Sequence, residues 1–345
     1  MAATTRTPKK TKPAGRGKWI VLGATALAGF LAVETGWAGF GWGQLRSAVY
    51  PNDMALLGWV PADTAGVVII DPHQLDLEAL GVQGSTTRTA LVRTRDDVKK
   101  ASGIDLAFDV DKLLLSPSLV VAHGRFDRKR LADKLAEHHY TVAEHGGETY
   151  LVRAGEDAIA VVDGSVLLYG DEDGIKAALD AHQSGTSLEK NAQVEARLSQ
   201  VGWNHPFLAT LRLAEDKPSL RAILTGSTGP RAVSVGVSTL AGVDLDVAIE
   251  AASPASGAEL AKLLDEQRKS VDGIGSITGP EVAPILVDIA TKATLVADPQ
   301  TGVVKGHVHL DKAQVETLAT HAGAAVPVAK MYKGMRLFQL LTPGL

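Results

Sequence analysis

His307 and His309 alternate along Val303 to Leu310, a run that reads as a β-strand. Both imidazoles therefore point to one face, at a separation suited to a metal ion. No third ligand is identifiable from the sequence, and two histidines on the solvent face of a strand account for the pair. Asp105, Asp109 and Asp111 place three carboxylates in one short run, GIDLAFDVD. Calcium binding or general acid–base work requires such groups to converge. Aspartates also cap helices and start turns, and this run leads into three leucines, which favours capping. His138, His139 and His145 gather around the end of a helix and the next strand. A helix C-terminus attracts positive charge there without any function. Asp171, Glu172, Asp173 and Gly174 imitate part of a calcium loop. The loop's first aspartate and its twelfth-position glutamate are both missing, so capping is again favoured.

Motifs with a known mechanism are scarce. The chain has no H-E-x-x-H zinc face, no G-x-S-x-G nucleophile elbow and no G-x-x-x-x-G-K-[ST] phosphate loop. Gly273, Gly275 and Gly279 are wrongly spaced for a dinucleotide fingerprint and read as a joint between helices. There is no cysteine, which excludes disulfides, thiolate catalysis, Cys-based zinc sites and an acylated lipoprotein cysteine. No cofactor and no catalytic residue is expected.

The elements that would position these side chains are strands and helices in alternation. Ala65 to Asp71 (AGVVIID) and Ser118 to Gly124 (SLVVAHG) read as strands. Arg95 to Ser102 reads as an amphipathic helix stopped by Gly103, and Asp127 caps a helix to about His138. Strand-like runs follow at Thr149 to Arg153, Ala158 to Val162 and Val166 to Tyr169, the last two joined by the turn pair Asp163-Gly164. Asp173 is expected to cap a helix from Gly174 to about His182. In the second half the strands are Phe207 to Leu213, Ala232 to Thr239, Val243 to Ala251, Thr294 to Ala297 and Val303 to Leu310. Helices are predicted at Lys217 to Leu224, Ser256 to Ser270, Glu281 to Lys292 and from Asp311 to about His321.

VLLYGDEDGIKAALDAHQ from Val166 and VKGHVHLDKAQVETLATHAG from Val304 share one rhythm: hairpin strand, aspartate cap, closing helix. The strand–helix units at Val120 and Val247 correspond as well. A duplicated unit is expected, with its seam near Gly185 to Asn204. Hairpins rather than crossovers indicate an α+β fold, antiparallel sheets with helices packed on one face. The predicted division is residues 65–190 and residues 205–345.

Trp19 to Trp42 (WIVLGATALAGFLAVETGWAGFGW) holds one ionisable side chain, Glu34. A helix of about 20 apolar residues crosses a bilayer core, so residues 19–42 are expected to span a membrane. The preceding tail, residues 1–18, carries Arg6, Lys9, Lys10, Lys12, Arg16 and Lys18 and no acid, whereas Arg46 is the only Lys or Arg in residues 41–80. That asymmetry keeps the N-terminus cytoplasmic and sends the rest outward through a linker, residues 43–64. Ala24, Ala28, Ala32 and Gly36 form a small-residue stripe through which two such helices would pack, giving a homo-oligomer. A cleaved signal peptide with its apolar region at Ile20 to Val33 is the competing reading, and it exports the same domain.

The chain carries −4 overall. With +6 in the tail, the remainder is acidic, a poor partner for nucleic acid phosphates. Hydrophobic content of 45% and charged content of 21% belong to a folded chain, and 5% aromatics argues against a ring-lined carbohydrate surface.

WVPADTAGVVIID, SGIDLAFDVDKLLLS, VVAHGRFDRKRLADKL, GETYLV and VLLYGDEDGIKAALDA together resemble a loose pattern in uncharacterised bacterial envelope proteins, over about Trp59 to Ala181. The resemblance implies an exported bacterial domain behind an anchor, and its motifs are structural rather than catalytic. The sequence thus leads to a single-pass bacterial inner-membrane protein with a periplasmic domain, non-catalytic, working in binding, scaffolding or assembly with envelope proteins. A lipid or small-molecule binding module is the alternative, and a hydrolase built on the Asp/His residues a more distant one.

Overall fold

The structure, a computed structural model, describes residues 54–74, 98–213, 230–239, 242–269 and 283–318. The tail, the predicted span with Ala24, Ala28, Ala32 and Gly36, the predicted helix at Lys217 to Leu224 and the glycine joint lie outside them. Among the described residues no helix is long and apolar enough to cross a membrane.

Among the described residues twelve strands form one antiparallel sheet, so the α+β class holds. They are β1 (Gly66–Ile70), β2 (Val110–Leu115), β3 (Leu119–Gly124), β4 (Thr141–His145), β5 (Glu148–Val152) and β6 (Ala158–Val162). The others are β7 (Val166–Gly170), β8 (Phe207–Arg212), β9 (Ala232–Ser238), β10 (Val243–Glu250), β11 (Thr294–Ala297) and β12 (Val303–Leu310). Their order is β11-β12-β10-β9-β8-β1-β2-β3-β7-β6-β5-β4. Read outward from the central β1–β8 pair, both directions follow one plan. Three antiparallel strands in chain order, the second and third joined as a hairpin, are followed by the second strand of a later hairpin, then by its first. Among the described residues the β4–β5 hairpin is added to one side alone. β1 and β8 run antiparallel, Val68 opposite Ala209, as a local twofold relation between the two wings requires. The sheet is continuous across this pair.

The helices used here are α1 (Met54–Leu57), α2 (Leu106–Asp109), α3 (Arg128–Ala136), α4 (Glu172–Ser184), α5 (Ala192–Val201), α6 (Pro254–Lys269) and α7 (Ala283–Lys292). They cover both faces of the sheet, which corrects the expected single helical face. On one face α1, α4 and α5 bring Leu57, Ile175, Leu179 and Leu198 onto Val67, Ile69, Leu114, Val121 and Leu168. On the other, α3 lays Leu131 and Leu135 over Ile70, Leu113, Leu115, Ala122, Ile159 and Leu167. Leu260 of α6 joins Ile249, Val304 and Val233. Phe207, which packs in the α3 cluster, stands opposite Val237. Val233 lies four residues away on the same strand, so α6 shares the face of α3. The physical reason is legible in the strands. GVVII, LVVA and AIAVV are apolar at consecutive positions, and a strand with one wet face would alternate.

Local chemistry fixes the connections. Asp163 and Gly164 both take positive φ, 48° and 77°, and turn β6 into β7. The α4 cap is Asp171, not Asp173: its Oδ1 accepts from the Gly174 N–H at 2.6 Å. The carboxylate of Asp173 already lies in the first turn, where it meets the positive helix end without capping it. Gly185, at φ 68°, closes the helix. At the start of the folded region the Trp59 ring stacks on His182 of α4, centroids 3.6 Å apart. The segment entering from the predicted span is thereby fastened to the core.

Candidate functional site

At one end of the strands three of the residues that the sequence pointed to, Asp111, His307 and His309, join other histidines and aspartates in two groups. The first lies where β1 ends, β2 begins and β3 ends. β2 carries a bulge: Val110 pairs with Gly124 and Lys112 with His123, leaving Asp111 as the extra residue. The bulge turns the Asp111 carboxylate, 4% exposed, between two histidines. Its Oδ1 is 3.9 Å from His73 Nε2 and its Oδ2 is 4.0 Å from His123 Nδ1. Those contacts are electrostatic, longer than hydrogen bonds. The His73 Nε2–H donates instead to the Val110 carbonyl at 3.0 Å, and its Nδ1 is buried without a partner. Burial, reinforced by Lys112, holds the His123 pKa below the ordinary histidine value, against the opposing pull of Asp111 and Asp163. Beside them Asp71 accepts from the His73 N–H and from Gln74 Nε2, and its own N–H donates to the Pro206 carbonyl, tying β1 to β8.

The other two members of the expected carboxylate trio do not join Asp111. Asp109 Oδ2 accepts from the Asp105 N–H at 2.7 Å, the start of the short helix α2. Asp105 Oδ2 is held by Lys99 at 2.6 Å. Asp109 thus meets the N–H at the start of α2, and Asp105 pairs with Lys99.

The second group lies on β10 and β12, on the face that α5 covers further along. Asp244 stands opposite His309 and Asp246 opposite His307. The side chains form a chain of alternating acid and imidazole. His309 Nδ1 is 2.7 Å from Asp244 Oδ1, and His307 Nδ1 is 2.9 Å from Asp246 Oδ1. The remaining nitrogen of His307, Nε2, is 3.9 Å from the same Asp244 oxygen. His205, in the turn after α5, places Nε2 3.1 Å from Asp246 Oδ2. Its ring lies flat on Gly236, where an added Cβ would come within 2.6 Å of it. His205 is nearly buried, whereas His307 and His309 are about half exposed.

The remaining candidates separate. His145 pairs with Asp180 of α4 at 2.7 Å. His139 takes φ 65° just beyond α3, and His138 donates its N–H to the Leu135 carbonyl. Asp171 caps α4, and Glu172 accepts from the Tyr150 hydroxyl and pairs with Lys176. His73, His123, His205, Asp244 and Asp246 were missed as site residues. Only the last two had a usable signal: DLD on β10 matches HVH on β12 once the strands are paired.

Elsewhere, a cavity of about 20 Å³ lies between α5, β1 and β8, beside Thr64, Asn191 and Arg197. That is room for one water. At the two ends of the sheet, β4 and β11 each have one strand neighbour among the described residues. Val142 on β4 is 68% exposed and Val296 on β11 is 64% exposed.

No protein-family model and no curated protein matches the chain. Among solved structures, one described as "Structure of crystal form I of TP0453" is similar, with a TM-score of 0.40 and 8% sequence identity. The match covers 78% of this chain and 96% of that one.

Proposed function

We propose that this protein is a membrane-anchored, extracytoplasmic binding or assembly factor without catalytic activity, held by residues 19–42 and presenting its sheet edges to envelope partners. The observation that carries the reading is the pair of outer strands, β4 and β11, each with one strand neighbour among the described residues. An unpaired strand is a row of unused N–H and C=O groups, and proteins ordinarily blunt it with charge, proline or a covering element. Here each outer strand carries an exposed valine, Val142 beside the exposed Glu144 on β4 and Val296 on β11. An extended partner segment adds to such an edge through main-chain hydrogen bonds, with side chains supplying selectivity. The anchor rests on the sequence: twenty-four residues with one ionisable group behind a basic tail. The two wings read as copies of one ancestral unit, on the grounds of their shared strand order.

A lipid-binding module calls for a large apolar cavity, and a hydrolase calls for acid and base within hydrogen-bonding reach of each other. The 3.9 and 4.0 Å contacts of Asp111 lie beyond that reach, whereas the pairs within it, His309–Asp244 and His307–Asp246, stand half exposed on a strand face. The test is affinity capture of the full-length protein from crosslinked native cells, compared with an anchor-deleted chain and with Val142→Lys and Val296→Lys variants. Partners lost in the anchor-deleted chain and in an edge variant support the reading. Partners retained by both edge variants, or none in any sample, contradict it.

A further inference from the structure

The cavity between α5, β1 and β8 is lined by two guanidinium side chains, Arg197 of α5 and Arg212 of β8, and by no carboxylate. Thr210 stands opposite Val67, on the sheet face that α5 covers, and Arg212 lies two residues further along the same strand. We propose that this cavity binds a carboxylate group, held by the Arg197 guanidinium and the Thr210 hydroxyl, with Arg212 at its mouth.

The argument starts from Arg197. A buried guanidinium is costly unless its N–H groups find acceptors. The Arg197 side chain is 9% exposed, yet its Nε alone is engaged, with Glu250 Oε2 at 2.7 Å. Among the described residues nothing accepts from its Nη1 or Nη2. Glu250 does not line the cavity, so it neutralises Arg197 from outside and leaves the rest of the fork unused. A guanidinium fork matches two carboxylate oxygens, which a lysine in the same place could not do.

Thr210 repeats the pattern. It is buried, and its hydroxyl accepts from Ser234 Oγ at 3.0 Å. Its own proton has no acceptor among the described residues. The first turn of α5 adds its positive end, through Asn191, Gln193 and Val194. Arg212 is exposed and donates to the Asp63 carbonyl at 3.0 Å, so main chain rather than an acid holds it in place. Every charged group of the lining is therefore positive.

Size narrows the ligand. About 20 Å³ admits one water-sized group, hence one carboxylate oxygen, with the second oxygen at the mouth toward Arg212. The four oxygens of phosphate or sulfate exceed that space. Buried Val67, Leu188 and Val194 form the dry part of the wall, where low dielectric strengthens the attraction.

The test follows the backbone amide signals of Thr64, Gln193 and Val194 by 1H–15N spectroscopy of the full-length chain in detergent, as acetate replaces chloride at constant ionic strength. Circular dichroism shows whether each variant is folded. The three signals are expected to shift saturably, with half-saturation in the millimolar range for so small a ligand. Arg197→Lys keeps a charge beside Glu250 but lacks the fork, and weakens binding at least about tenfold. Thr210→Val weakens it roughly threefold to tenfold, and so does Arg212→Gln, whose exposed position keeps the test valid if Arg197→Lys fails to fold. A short peptide with a free C-terminus and its amidated twin separate two sources of the group. Tighter binding of the free-ended peptide than of acetate assigns the chain end of a partner, and binding no tighter than acetate assigns a small free carboxylate. The proposal is overturned by three results: no saturable shift up to about 0.1 M acetate, wild-type affinity in the folded arginine variants, or an amidated peptide that binds as tightly as the free one.

Discussion

In the N-terminal wing β7 stops after five residues, and Asp171 turns the chain into α4, whose Ile175 and Leu179 seal that face against Val121 and Leu168. In the C-terminal wing β12, in the corresponding place, runs for eight residues before Asp311 and carries His307 and His309. β10 is extended likewise, eight residues against six in β3, and carries Asp244 and Asp246. One plan therefore ends in a dry, helix-covered face on one side and in an open face of acids and imidazoles on the other.

The sharpest way to break this comparison is to damage the dry wing. Leu168 is fully buried, and Leu168→Ala should cost about 2–5 kcal/mol in urea unfolding. A cost close to zero would mean that the α4 face is not the packed core described. Asp157 should matter next. It accepts from the Tyr140 hydroxyl at 2.8 Å and the Tyr169 hydroxyl at 3.0 Å, with Arg153 alongside. Burial first, and Asp157 second, push the Tyr169 pKa up to about 12. Asp157→Ala leaves both hydroxyls without that acceptor, an expected loss of about 1–3 kcal/mol, and alkaline absorbance titration should show Tyr169 ionising at lower pH.

Acid provides a third contrast. His123 is held neutral by burial, so its folded pKa lies below the unfolded value of 6.5. The unfolded chain binds the proton more readily between those two values. His123's contribution to stability is therefore complete above about pH 6.5 and declines as pH falls below it. Denaturation midpoints measured from pH 7.5 to 5 should fall less steeply in His123→Gln than in the wild type. The open face should give the smallest effect. His309→Gln removes a half-exposed pair, and the expected change in stability is about 0–1 kcal/mol. A larger loss would show that the chain of acids and imidazoles supports the fold itself.

The strand reading succeeded where pairing was local. β11 and β12 were predicted with their observed ends, and Asp163-Gly164 marked the β6–β7 turn. It failed where long-range packing decides. Nothing near Asp111 in the chain announces that a bulge will aim it at His73 and His123, residues brought in from the end of β1 and from the next strand. α5 was missed because the segment from Gly185 to Asn204 is polar and read as a seam. Its Val194, Leu198 and Val201 nevertheless recur at helical spacing and pack on the sheet. The alternation on β10 was read correctly as a strand, but its meaning needed the partner register that places Asp246 opposite His307.

The most direct test of the open-edge reading is site-specific photocrosslinking in living cells. A photoreactive residue would replace Val142 or Val296 in the full-length chain, with Lys129 on the exposed side of α3 as the control. Discrete adducts at an edge position and none at Lys129 are the predicted result. Adducts of equal strength at all three positions, or at none of them, would contradict a role for the sheet edges in binding.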